Sequence, residues 1–201
     1  MAPIRPAAPP AHPMTVKSTG SWVRLVTGFA GFGAGSVNLA ISASFLAAGS
    51  HGPAALLASA VAGLWGTALL AGSVAFLAKD RLAGNRWTRY ALAAAAAAHL
   101  AAIAFPNPIT SGLSLTQLSA LLLTLMIIAS LSWLQRHSSR QDGRQPAGPG
   151  MRPGRLLLAA FAGAVLVAGI TTPGLAASTA GQYAVPHGGH GNLAPGGHHQ
   201  R

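Results

Sequence analysis

Histidine is the chemistry-bearing residue of this chain. His187-Gly188-Gly189-His190 and the pair His198-His199 stand at spacings that let neutral imidazoles share one borderline cation, and His51 and His99 precede them. With no cysteine and no carboxylate nearby, Cu(II) or Zn(II) is the ion such a set would take. The glycine-rich setting supplies no preformed geometry. The segment is therefore either a capture tail or a low-complexity hydrophilic terminus whose histidines do nothing specific. His99 differs from the others because apolar sequence surrounds it on both sides. An ionisable group inside a membrane is a functional candidate by default, and the alternative is a neutral imidazole hydrogen-bonded to a neighbouring helix.

Other reactive groups are scarce. The two acidic residues, Asp80 and Asp142, both lie outside the apolar runs, so no span offers the buried carboxylate that proton-coupled transporters and intramembrane proteases use. Thiol catalysis and disulfides are excluded by the absence of cysteine. There is no phosphate-binding glycine loop, nucleophile elbow or zinc-protease histidine pair. Gly31-Phe32-Gly33-Ala34-Gly35 superficially has the glycine spacing of a nucleotide loop but follows no strand. The expectation is a non-enzymatic protein. A solute path would need polar residues converging from several spans, and beyond Asn38, His99 and Gln117 few exist.

Stepping along the apolar runs shows what must hold these groups. Composition is 51% hydrophobic and only 7% charged, whereas a soluble domain carries about 25% charged residues and would need them to face water. Five apolar segments stand out, at about 25–48, 54–78, 87–105, 113–134 and 155–177. The first is long enough, at about 36 Å, to cross a ~30 Å hydrocarbon core. Pro53 suits the first turn of the second, and Pro106-Asn107-Pro108 stops the third. The runs are continuous rather than alternating, which excludes a β-barrel. The fold expected is all-α: a polytopic bundle of four membrane helices at 22–135, a basic linker at 136–154, and a fifth apolar helix. A Pro/Ala-rich tail at 1–21 and a Gly/His-rich tail at 178–201 are expected to be disordered.

Within the bundle, small residues form stripes. Gly28, Gly31, Gly35, Asn38 and Ser42 recur at steps of three and four, on one face of the first helix. Ser59, Gly63, Gly66 and Ser73 do the same on the second. Gly31 and Gly35 have the spacing that allows close helix approach. The stripes either pack together, or Asn38 marks a polar site for a small substrate.

Orientation follows from the basic residues. Twelve of the thirteen precede the first span or lie between spans two and three or four and five; only Arg201 falls on the other side. The positive-inside rule then puts the N-terminus in the cytoplasm and the His-rich tail outside the cell membrane, with Trp22, Trp87 and Trp133 at cytoplasmic ends. A net charge of +11 suggests nucleic acid, but the bases are divided among short loops beside apolar runs, which favours lipid over nucleic acid. Eleven arginines against two lysines, with abundant Ala, Gly and Pro, is the usage of a high-GC bacterial genome.

The fifth run has a second reading. Arg152 and Arg155, then apolar residues, then Gly174-x-Ala176 and Ser178-x-Ala180, have the layout of a secretory signal with its cleavage site, so the tail is either anchored or released. The functional expectations are an interaction or accessory membrane protein, a homo-oligomer included; a Cu(II)- or Zn(II)-handling protein with an outer capture tail; or a small-solute transporter. Titrating Cu(II) and Zn(II) into the full chain and into a form ending at Ala177 tests the second. A capture tail gives tight, saturable binding that truncation abolishes, and binding that survives truncation moves the site to His51 and His99.

Overall fold

The computed structural model describes residues 21–47, 52–79, 85–105, 113–141 and 153–182. They form α1 (Ser21–Ala47), α2 (Pro53–Ala78), α3 (Arg86–Ala104), α4 (Ser114–Gln141), α5 (Pro153–Ala176) and the short α6 (Thr179–Gln182). The protein is an all-α bundle. His51 and the histidines of the C-terminal tail lie outside the described residues, as do 1–20 and most of the basic linker.

Among the described residues four helices are long and apolar enough to cross a membrane: Trp22–Ala47, Pro53–Ala78, Ser114–Arg136 and Leu157–Ala176. They are not the four expected. The fifth apolar run qualifies, and α3 does not. Its first turn holds Arg86, Thr88 and Arg89, which leaves Ala91–Ala104, about 21 Å of helix, as its apolar part. It nevertheless runs antiparallel along α4, from Arg89–Gln135 to His99–Gln117, so the chain changes ends of the bundle with each of its five long helices.

α1 is the shared helix, in contact with α2, α4, α5 and α6. Its residues Ala30, Ala34, Val37, Ile41 and Phe45 form the core with Leu92 of α3, Ala120, Leu123 and Ile127 of α4, and Val167 of α5. Lipid is as apolar as leucine and gives helices no hydrophobic reason to associate, so close packing and hydrogen bonds must do it. The α1–α2 seam uses both. A Cβ on Gly35 would lie 2.8 Å from the Gly66 carbonyl oxygen, and one on Gly66 would lie 2.8 Å from that of Gly35, so backbone meets backbone there. Toward one end Gly28 admits Leu77 and Gly31 admits Ser73. Toward the other, Gly63 faces Ser42, and the Ser42 and Ser59 hydroxyls each donate to the other's carbonyl, at 2.8 and 3.0 Å. Asn38 is buried and turned to its own helix, its Nδ2 donating to the Ala34 carbonyl at 2.8 Å.

α5 packs along α1 and α4. Gly163 admits Val26, Gly33 admits Thr171 and Val167, and Gly174 rests against Ser119 and Val37. Proline and glycine at 173 and 174 would favour a break, but α5 stays helical through Pro173. Proline removes one backbone donor, a defect that neighbouring helices can offset inside a membrane. The acceptor that Pro173 deprives is the Gly169 carbonyl, one turn earlier; Thr116 of α4 donates at 2.9 Å to a different one, that of Gly174 in the last turn of α5. Nor is the tail coil from residue 178. Ser178 is buried, its hydroxyl accepts from the Gly181 amide, and the Thr179 amide donates to Ser44 of α1, which fastens α6 to the bundle. Both small-x-small motifs begin on packed residues, Gly174 and Ser178. α4 also runs beyond its expected end at Leu134, through residues expected in the linker, because nothing from Gln135 to Gln141 breaks a helix before Asp142-Gly143.

Gly35→Leu is expected to destabilise the bundle by about 1–3 kcal/mol through overpacking. Gly169→Leu, with open space around its Cβ, should stay within ~0.5 kcal/mol. Detergent unfolding of the purified variants reads both.

Candidate functional site

The helix ends sort by charge. Trp22 at the start of α1 stacks on Trp133 near the end of α4 with ring centroids 6.0 Å apart, and Arg89 at the start of α3 donates to Gln135 at 3.1 Å. Arg24 donates to the carbonyls of Phe76 and Lys79 at the end of α2, at 3.3 and 3.0 Å. One end of the bundle thus collects Arg24, Lys79, Arg86, Arg89 and Arg136. Arg24 satisfies backbone acceptors that α2 leaves open and sets a positive charge where the helix dipole is negative.

The structure brings together two of the polar residues picked out in the sequence. His99 and Gln117 are both buried, and Nδ1 of the imidazole lies 2.7 Å from the amide oxygen of Gln117. With oxygen as acceptor, the neutral ring carries its proton on Nδ1 and donates. Its Nε2 is buried without a partner. This contact and the Arg89–Gln135 contact clip α3 to α4 near both ends, with Leu92 and Ala96 packed between. Asn38 has no bond to this pair. Among the described residues no three His, Cys, Asp or Glu side chains come together as a metal site. The metal set of His51, His187, His190, His198 and His199 lies outside those residues. The stripe residues Gly28, Gly31, Gly35, Ser42, Ser59, Gly63 and Gly66 are spent inside the chain, on the α1–α2 seam.

A further feature had no counterpart in the sequence reading. α2 lies against α1 and α3 against α4, and among the described residues the backbones of α2 and α3 stand apart from each other. Between them runs a groove of about 470 Å³, floored by Thr27 and Gly31 of α1 and Ile127 and Leu131 of α4. Trp65, Ala68, Leu69, Gly72, Ser73 and Phe76 make one wall, and Trp87, Thr88, Ala91 and Leu92 the other. Two of its three hydroxyls have given their protons to backbone: Thr27 donates to the Val23 carbonyl at 2.7 Å and Ser73 to that of Leu69 at 2.6 Å, while the third belongs to Thr88 at the start of α3. The rest of the lining is mostly carbon, apart from Trp65, whose indole Nε1 is buried without a partner. One signal for it stood in the sequence: Trp65 lies in mid-span, away from the interfacial level of Trp22, Trp87 and Trp133.

No family model matches the chain, and no curated protein or solved structure matches it.

A double-mutant cycle on His99→Leu and Gln117→Leu is expected to give a coupling energy of about 1 kcal/mol, the scale of interhelical hydrogen bonds in membranes. Additive losses would show that the pair does not hold α3.

Proposed function

We propose that this chain is a non-enzymatic, multi-pass protein of the cell membrane that acts by interaction, engaging a membrane-embedded partner at the groove between α2 and α3. Its N-terminus is cytoplasmic and its C-terminus extracytoplasmic, an assignment supported by the basic residues gathered at one end of the bundle. The observation that carries the interaction reading is the groove itself: two helices, each held by one long neighbour, standing apart across an apolar slot. Solute transport has less support, since Asn38 is bonded to its own helix and His99 to Gln117. The glycine seam offers no dimer face, because α2 already occupies it. The packing of Gly174 and Ser178 supports an anchored α5 over a released one.

Ala68 and Ala91 line the groove from opposite walls with exposed side chains, so Ala68→Phe with Ala91→Phe fills it without disturbing the core. In a deletion strain this variant should reach normal abundance in the membrane yet fail to restore competitive growth. A chain ending at Gln182, which keeps α6, should restore it fully. The opposite pattern would sink the groove and favour metal capture by the histidine tail.

A further inference from the structure

We propose that the groove is a binding site for an anionic phospholipid from the leaflet at the basic end, one acyl chain lying in the slot and the phosphate held by Lys79 and Arg86. The proposal rests on the reading of the groove as the interaction site and names its occupant.

Depth is the first argument. From Trp65 to Phe76 is eleven helical rises along α2, about 16 Å. That is about half of a ~30 Å hydrocarbon core, the reach of one leaflet. Wall chemistry is the second. With the Thr27 and Ser73 protons given to backbone carbonyls and the Trp65 Nε1 buried, the Thr88 hydroxyl beside the mouth is the main polar group left in the lining, so a polar solute would lose its water along most of the slot and gain little, whereas an acyl chain asks for no hydrogen bond there. The third is charge at the mouth. Phe76 and Trp87 mark that end of the slot, and Lys79 and Arg86, both exposed, lie one turn or less beyond them. The Arg86 guanidinium sits 5.9 Å from the Trp87 ring centroid, which keeps it at the rim. The carbonyls at the end of α2 would repel a phosphate, but Arg24 takes those of Phe76 and Lys79. The chain carries thirteen basic residues against two acidic ones, so an anionic headgroup complements this mouth. A second copy of the chain does not: copies in one membrane share an orientation, so basic end would meet basic end.

The test uses the full chain with Trp22→Phe and Trp133→Phe, which leaves Trp65 and Trp87, both in the groove, as the fluorophores. It is reconstituted in phosphatidylcholine vesicles containing a small, equal fraction of chain-brominated phosphatidylglycerol or chain-brominated phosphatidylcholine. The phosphatidylglycerol should quench as if bound about fivefold more tightly, the contribution of one basic residue at a membrane surface. Lys79→Gln with Arg86→Gln should bring that ratio toward one. Ala68→Phe with Ala91→Phe should cut quenching by both lipids. Equal quenching by the two lipids overturns the proposal, as does a preference that survives the charge substitutions. Displacement of the brominated lipid by inorganic phosphate would also overturn it, by placing a free anion at the mouth. If the lipid result fails while the groove-filled variant stays inactive in cells, the interaction reading stands and only its occupant is wrong. Selective quenching with an active groove-filled variant would leave the lipid site and remove its role in function.

Discussion

The approach of Gly35 to Gly66 sets the geometry of the bundle. A carbonyl oxygen stands 2.8 Å from where each glycine's Cβ would be, so neither position admits even alanine without movement. Contact at this range replaces the hydrophobic drive that lipid withholds. It also orders the residues along the seam: once Gly35 meets Gly66, Gly28 must receive Leu77 and Ser42 must meet Ser59. The serine clasp closes one end with two hydrogen bonds, and Arg24 closes the other by taking the last carbonyls of α2.

With α2 on one face, α1 turns a second face to α5. Val26, Gly33 and Val37 receive Gly163, Val167 and Gly174, and Ser44 holds the amide that begins α6. α4 fills the space against both. Of the two helices that flank the groove, α3 is attached thinly. α3 buries only Leu92, Ala96 and His99. A helix with so few buried contacts belongs to the low-stability part of a fold, where binding surfaces tend to be found. The groove follows from this arrangement, since α2 is committed to α1 and α3 to α4, and nothing draws the two together.

Polar atoms in the bundle mostly satisfy backbone or each other. Thr27, Ser73, Thr124 and Asn38 donate within their own helices, and Thr116 crosses to the Gly174 carbonyl, just past Pro173. Charge is kept to one end. Among the described residues the bundle is therefore an apolar body with a basic rim.

Much of this was legible in the residues alone. Hydrocarbon demands about twenty apolar residues per crossing and expels arginine, so the positions of the runs and the side on which the bases fall are local properties of the chain. The stripes Gly28–Ser42 and Ser59–Ser73 were legible for the same reason, because helical periodicity alone decides which residues share a face. Tertiary structure decided what those faces meet. No local pattern says that His99 finds Gln117, or that α5 continues through Pro173 and is bonded by Thr116 in its last turn. Nor does any pattern say that α2 and α3 stand apart. Periodicity describes one helix at a time, whereas a hydrogen bond, a cap or a groove is a distance between two.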